Sequence, residues 1–538
     1  FKTMAAYETW LAESGEDGER QLAVLRLLGL FDRPADGSCL QALRREPVIA
    51  GLTEALVGVD EDDWNLTLSA LAELGLVVRE GASLDAHPLI REYFGRRLRD
   101  HRPETWRAAH GRLFEHLQAR AEHRPDTLAG LQPLYQAVAH GCQAGRQQEA
   151  CDKVYYDRIS RRAEAFVVRK LGAFGADLGA VACFFEPPWR RVSPSLTEAD
   201  QGWLLSQAAP YLRALGRLTE AVEPMRAGLQ MGIEQESWNE AARRASNLSE
   251  LELTLGDVDR AVRDAEQSVE FADRSGDGFQ RMSKRATLAD ALHQAGRRDD
   301  ALARFREAEA MQAEDQPSCP LLYSVPGFRH CDLLLVGPER AAWKVVGGAV
   351  PAASGRKSRQ DAGAPSGVVA TCRDVEERAE GAQKAWREIF TNEPSLLDVA
   401  LDHLTLGRAG FYRAILERRV PADDPEDSVL AKARSEIEAA VNGLRRAGHS
   451  DELPKGLLTR AWLRALTDDR DGALADLAEA WEIAARGPMP LFLADVHLYR
   501  ARLFGDRHAL VEARRLIEKH GYRRRREELE DAEAPSSP

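Results

Sequence analysis

Between residues 200 and 313 the apolar side chains recur at three- and four-residue spacing, in runs of helical length parted by short polar breaks. A glycine stands at the same place in three successive breaks: Gly216, Gly256 and Gly296 lie 40 residues apart. Each follows a small or aliphatic residue (Leu215, Leu255, Ala295) and precedes an alanine five residues on (Ala221, Ala261, Ala301). Seven residues before each glycine sits another small residue, Ala209, Ser249 or Ala289. Glycine permits the tight turn between two antiparallel helices, and small residues flanking it let those helices approach closely. The repeat therefore predicts helix pairs stacked one on the next. The same Gly-x4-Ala step occurs at Gly145–Ala150 and Gly175–Ala180.

Ahead of the repeats the pattern differs. Leu22, Leu25, Leu27, Leu28 and Phe31 predict one short helix, stopped by Pro34, and a second follows near 35–45. A third begins after Asp60-Glu61-Asp62-Asp63, an acidic run suited to a helix N-terminus, and ends at Gly75. Residues 76–79 and 82–85 read as two strands about a turn at Glu80-Gly81. His87-Pro88 opens another helix, and one more spans about 104–121. Three helices followed by a hairpin is the order of a winged helix, so residues 1–120 form the expected first domain.

Residues 121–335 are expected to be repeats. Residues 336–370, rich in Gly, Ala, Ser and Pro, read as a flexible loop, with further helical repeats over 371–525. The tail 526–538 is expected to be disordered. The chain begins Phe1-Lys2-Thr3-Met4, which reads as a fragment of a longer protein or a product of cloning.

Charge and cysteine usage narrow the classes. The net charge of −13 argues against broad nucleic-acid or membrane-surface binding. Over residues 1–125 acidic residues outnumber basic ones by 21 to 16. The third helix, which would enter a DNA groove, holds no Arg or Lys through Leu76. The seven cysteines (39, 142, 151, 183, 319, 331 and 372) show no metal-ligand spacing and read as buried thiols in a reducing cytoplasm. No apolar run approaches the ~18 residues of a membrane helix. No nucleotide-binding Gly-x4-Gly-Lys-Ser/Thr, no His-Glu-x-x-His and no Gly-x-Ser-x-Gly occurs. No catalytic residue, metal or cofactor is therefore assigned to this chain. Arg523–Arg526, followed by Glu527, Glu528 and Glu530, reads as a solvated, self-neutralised helix end, with a phosphate or acidic-partner site as the alternative.

Two resemblances give the pattern a name. The small–Gly–Ala spacing resembles the tetratricopeptide repeat, whose helix pairs stack into a superhelix; a period of 40 rather than the usual 34 implies longer helices. The pairing of FDRPA (31–35) with HPLIREYF (87–94), followed by helical repeats, resembles the C-terminal arm of bacterial STAND ATPases of the NACHT/NB-ARC type. Stretches 323–335, 396–409 and 521–533 look like those of bacterial members as well. The resemblance implies an effector and an ATPase upstream, a winged helix and a repeat sensor. It implies that ATP or ADP belongs to the upstream domain. His87 matches the position of the family's nucleotide-sensing Met-His-Asp histidine, with Ala86 and Pro88 beside it; a helix-start or packing role is the alternative.

The expected protein is thus an all-α, tetratricopeptide-like solenoid preceded by a winged-helix domain. Its expected function is that of a non-catalytic, cytoplasmic sensor arm that binds a protein or peptide on its concave face; a stand-alone scaffold is the alternative. Counting back from the turn glycines places Arg213, Arg243, Asn247, Glu250, Asp290 and His293 on the inner side of the first helices. Of these, Arg243, Asn247 and Glu250 share one helix face.

Overall fold

Among the described residues one hairpin interrupts an otherwise helical chain. The structure, a computed structural model, describes residues 2–347, 366–388, 394–418, 420 and 428–534. Two units result. The first is Phe1–Phe166 with Ala182–Pro188 and Ser193–Asp200; the second is Val167–Val181 with Trp189–Val192 and Gln201–Pro538.

In the first unit α1 (Lys2–Ala12), α2 (Gly15–Leu28), α3 (Gly37–Arg44) and α4 (Glu61–Glu73) precede β1 (Val77–Glu80) and β2 (Ser83–Ala86). Then come α5 (Pro88–His101), α6 (Pro103–Arg120), α7 (Leu128–Gln143) and α8 (Gln147–Glu149), which runs into a π-helical stretch, Ala150–Ile159. The unit thus reaches past residue 120. Asp60 caps α4 by accepting from Asp63 N at 2.8 Å, and the acidic first turn faces the positive end of the helix dipole. The strands pair antiparallel from Val77↔Ala86 to Glu80↔Ser83. Ala35 extends the sheet by a bridge to Leu84, so FDRPA is tied to the strand that leads into HPLIREYF. Gly29 and Gly95 bring α2 and α5 into backbone contact: a Cβ on Gly29 would lie 2.5 Å from Gly95 N.

The second unit opens with α9 (Phe166–Lys170) and α10 (Phe174–Ala182). Three pairs follow: α11 (Glu198–Ala214) with α12 (Leu218–Glu234), α13 (Trp238–Thr254) with α14 (Val258–Ser275), and α15 (Gly278–Gln294) with α16 (Arg298–Asp315). These helices are 17 or 18 residues long, which with short turns makes the period of 40. Gly216, Gly256 and Gly296 have φ of +73°, +79° and +77°. Ala221, Ala261 and Ala301 are fully buried, and Ser249 Oγ donates to Ala261 O at 2.8 Å across its pair. The small residues do what their spacing implies. Gly175 does not: it lies inside α10, and the left-handed turn falls at Gly172 (φ +63°).

The array continues as α17 (Ser324–Leu334), α18 (Val336–Gly347), α19 (Ser366–Glu388), α20 (Leu396–Leu416), α21 (Ser428–Ala447), α22 (Leu453–Leu466), α23 (Arg470–Arg486), α24 (Pro490–Phe504), α25 (Arg507–Lys519) and α26 (Arg526–Glu533). Two expectations are corrected here. The segment 336–370 is helical at both ends. In α18, Ala342 and Trp343 are buried and Trp343 stacks on Trp462 at 3.7 Å, an apolar contact that outweighs the loop-like composition. Residues 348–365 lie outside the described residues. The tail is helical through Glu533 because Leu529 packs with Leu516, Ile517 and Tyr522; residues 535–538 lie outside the described residues.

The turn glycines also form a seam. A Cβ on Gly487 would lie 2.8 Å from Gly216 O. One on Gly256 would lie 2.3 Å from Pro490 Cγ, and one on Gly296 would lie 2.6 Å from Arg523 Cβ. Ser450 N donates to Ala214 O at 2.8 Å, and His520 Nδ1 lies 3.0 Å from Gly256 O. Three turns of the early pairs therefore meet the chain reversals at 448–452, 487–490 and 520–523.

Candidate functional site

The first helices of the early pairs and the later helices line an open cavity of about 120 Å³ within the second unit. Its wall mixes apolar side chains (Leu253, Phe328, Leu458, Leu491, Phe492) with a large number of charges. Buried charges persist only when paired and hydrogen-bonded, and here they fall into two networks.

The first network joins consecutive repeats. Arg213 on α11 holds Glu250 on α13 and, at 2.9 Å, Asp451. Arg329 on α17 reaches Glu250 at 2.8 Å, Asp290 on α15 at 3.4 Å and Thr287 Oγ1 at 3.2 Å. Burial raises the pKa of Glu250, but Arg329 and Arg213 outweigh it and hold the pKa at about 2.

The second network is built on the C-terminal arginines. Arg524 lies 2.7 Å from Asp332. Arg525 reaches Asp495 at 2.8 Å, Glu339 at 2.9 Å and Glu528 at 2.7 Å. Arg408 joins Asp332 at 2.6 Å and Glu339 at 3.4 Å. Tyr522 Oη donates to Asp495 at 3.1 Å. Glu339 is fully buried; burial raises its pKa, and Arg525, Arg408 and Arg524 together bring it down to about 2. The solvated reading of Arg523–Arg526 is corrected accordingly. Arg523 and Arg526 are exposed, whereas Arg524 and Arg525 turn inward, because the turn before α26 is pinned against Gly296.

The six residues expected on the inner side separate into three groups. Arg213, Glu250 and Asp290 line the cavity. Arg243 and Asn247 lie on the same helix as Glu250, half-exposed and outside that lining. Arg243 pairs with Glu240 one turn away. His293 is buried at 3% exposure and does not line the cavity, so as a surface contact it is a correction. Burial, with Arg524 nearby, lowers its pKa to about 3, so it is neutral. Both its ring nitrogens lack a hydrogen-bond partner among the described residues. Sequence reasoning missed Arg329, Asp332, Arg408 and Asp451. They lie beyond the glycine-marked repeats, where no period places them.

In the first unit His87 is exposed and caps α5, its Nδ1 accepting from Leu89 N at 3.2 Å. The geometry is that of the helix-start role. All seven cysteines are free. No helix among the described residues is long and apolar enough to cross a membrane.

The fold and its charged interior define a class: an all-helical, tetratricopeptide-like repeat protein. No protein-family model matches the chain, and no curated protein matches it. Solved structures do. The chain is similar to the Signal Transduction ATPase with Numerous Domains (STAND) protein with a tetratricopeptide repeat sensor from Pyrococcus horikoshii. Identity is 14% and the TM-score 0.34, over 95% of this chain and 64% of that one, so this chain spans less than two thirds of that length. It is also similar to the Rap conjugation gene regulator of the plasmid pLS20, solved in complex with the Phr* peptide. There identity is 12% and the TM-score 0.42, over 81% of this chain and 95% of that one.

Proposed function

We propose that this chain is the sensor arm of a signal-transduction ATPase, binding a protein or peptide trigger on the inner surface of its repeats. The observation that carries the proposal is the inner surface itself. Arg213, Glu250, Asp290 and Arg329 present fixed donors and acceptors beside an apolar wall of Leu253, Phe328 and Leu458. An extended peptide needs that mixture, with backbone and polar side chains met by charge and apolar side chains by the wall. In this reading the N-terminal helices and hairpin, a winged helix, relay the bound state to an ATPase domain, which holds the ATP or ADP. The bridge from Ala35 to Leu84 supports the relay, since it couples two segments that carry the resemblance.

The test is selection of binders from a displayed random-peptide library, followed by Asp290→Asn, a substitution in the cavity lining. Asp290 is half-buried and its ion pair with Arg329 is long, at 3.4 Å, so the fold should survive. Binding should fall at least about tenfold, in line with loss of a charge-assisted contact. Unchanged binding with an intact fold would move the contact surface elsewhere. The relay is tested separately: in a protein that also carries the ATPase, His87→Ala should raise basal output. If output and nucleotide exchange are unchanged while peptide still binds, the chain acts as a scaffold.

A further inference from the structure

Lys284 on α15 is buried, at 7% exposure. No carboxylate oxygen of the described residues lies within 4.0 Å of its ammonium, and it makes no hydrogen bond among them. The neighbouring cations of the inner face are all paired: Arg213 and Arg329 share Glu250, Arg243 holds Glu240, and Lys455 holds Glu452 at 2.6 Å. Asn247 likewise makes no hydrogen bond among the described residues. Arg243 Nε is buried without an acceptor among the described residues.

These three side chains belong to one level of the array. Ser246 Oγ on α13 meets Thr287 Oγ1 on α15 at 3.1 Å. Arg243 and Lys284 each lie three residues, about one helical turn, before that contact on their own helices, and Asn247 directly follows Ser246. Arg329 closes the level from α17 through its bond to Thr287. Arg243 and Asn247 are half-exposed, so the level is open on the α13 side.

We propose that Lys284, Arg243 and Asn247 form a subsite that receives one carboxylate of a bound peptide. The proposal rests on the reading of the repeats as a peptide receptor. Burial lowers the pKa of Lys284 to about 8, with Glu250 opposing the fall, so the amine is still charged at neutral pH. An uncompensated buried cation is costly, and a monoanion removes that cost. A carboxylate supplies one charge and two acceptor oxygens, enough for the ammonium, Arg243 Nε and the Asn247 amide. A phosphate dianion would leave a second charge buried and unmatched. Glu250 cannot serve, because Arg213 and Arg329 already hold it.

The test uses the full chain and four fluorescein-labelled pools of short random peptides. One pool has a free C-terminal carboxylate and no acidic side chains. One is amidated with a single Asp, one is amidated and uncharged, and one is amidated with phosphoserine. One of the two carboxylate pools should bind at least about tenfold more tightly than the uncharged pool, and which one it is separates chain terminus from side chain. Lys284→Gln should erase that advantage while leaving the unliganded protein no less stable. Asn247→Asp, at a half-exposed position, should erase it too and serves if the first variant fails to fold. Equal binding of the uncharged pool overturns the subsite but leaves the receptor reading standing. So does an advantage that survives in every folded variant, or a preference for phosphoserine. Binding of no pool overturns both.

Discussion

Replacing Gly256 with alanine probes the seam on which the inner cavity depends. Two costs add. The residue has φ +79°, where an L side chain is disfavoured by about 1–2 kcal/mol. The new Cβ would also lie 2.3 Å from Pro490 Cγ and 2.7 Å from His520 Nδ1. The His520 ring can swing away, giving up its hydrogen bond to Gly256 O. Pro490 cannot, because its ring opens α24, and the forced shift should cost about 1–3 kcal/mol more. Gly276 is the internal control. Its φ is +71° but nothing lies within 4 Å of an added Cβ, so Gly276→Ala should carry the strain alone. Gly216, whose added Cβ meets only Ser450 and Met489 at 3.8 and 3.9 Å, should behave like Gly276. Urea unfolding followed by tryptophan emission reads the series, with Trp462 fully buried in this unit as a reporter. Gly256→Ala should be the most destabilised of the three, by about 1–3 kcal/mol. If the three agree to within about 0.5 kcal/mol, the seam is not packed as described and the turn glycines matter only for their backbone angles.

Two further outcomes follow from the buried charges. Arg525→Ala removes the shortest ion pairs of Glu339 and Asp495 and should cost about 3–5 kcal/mol, whereas Arg526→Ala, one residue on and exposed, should change stability by no more than about 0.5 kcal/mol; equal effects in urea unfolding would contradict the inward turn of Arg525. His293, Glu250 and Glu339 have lowered pKa values in the fold, so each contributes stability that is lost as pH falls, because the unfolded chain takes up more protons. The contribution of His293, lowered from 6.5 to about 3, is lost as pH falls below 6.5, and those of Glu250 and Glu339, lowered from 4.5 to about 2, below 4.5. Glu252, which burial raises to about 9, opposes the first loss, so the test is the comparison with His293→Leu: a slope of the urea midpoint between pH 6.5 and 4.5 that this substitution leaves unchanged would show that His293 is not held neutral in the fold.

Local rules determined much of this protein without any tertiary information. Turn glycines at a fixed interval, small residues at the crossings and an acidic helix start depend on neighbours close in sequence, and they marked the paired helices, their length and the hairpin. The same counting put Arg213, Glu250 and Asp290 on the inner face, because each belongs to a helix whose phase a glycine sets. Beyond residue 320 no such marker exists. Only the tertiary structure showed that Trp343 finds Trp462, making a helix where composition suggested a loop. Only it turned Arg524 and Arg525 inward, since their direction depends on Gly296, Asp332, Glu339 and Asp495, all of them distant except Asp495 in sequence. It also left Lys284 buried with no carboxylate in contact among the described residues. Burial and pairing are set by whatever the rest of the chain brings near, and that information is absent from any window a sequence pattern can span.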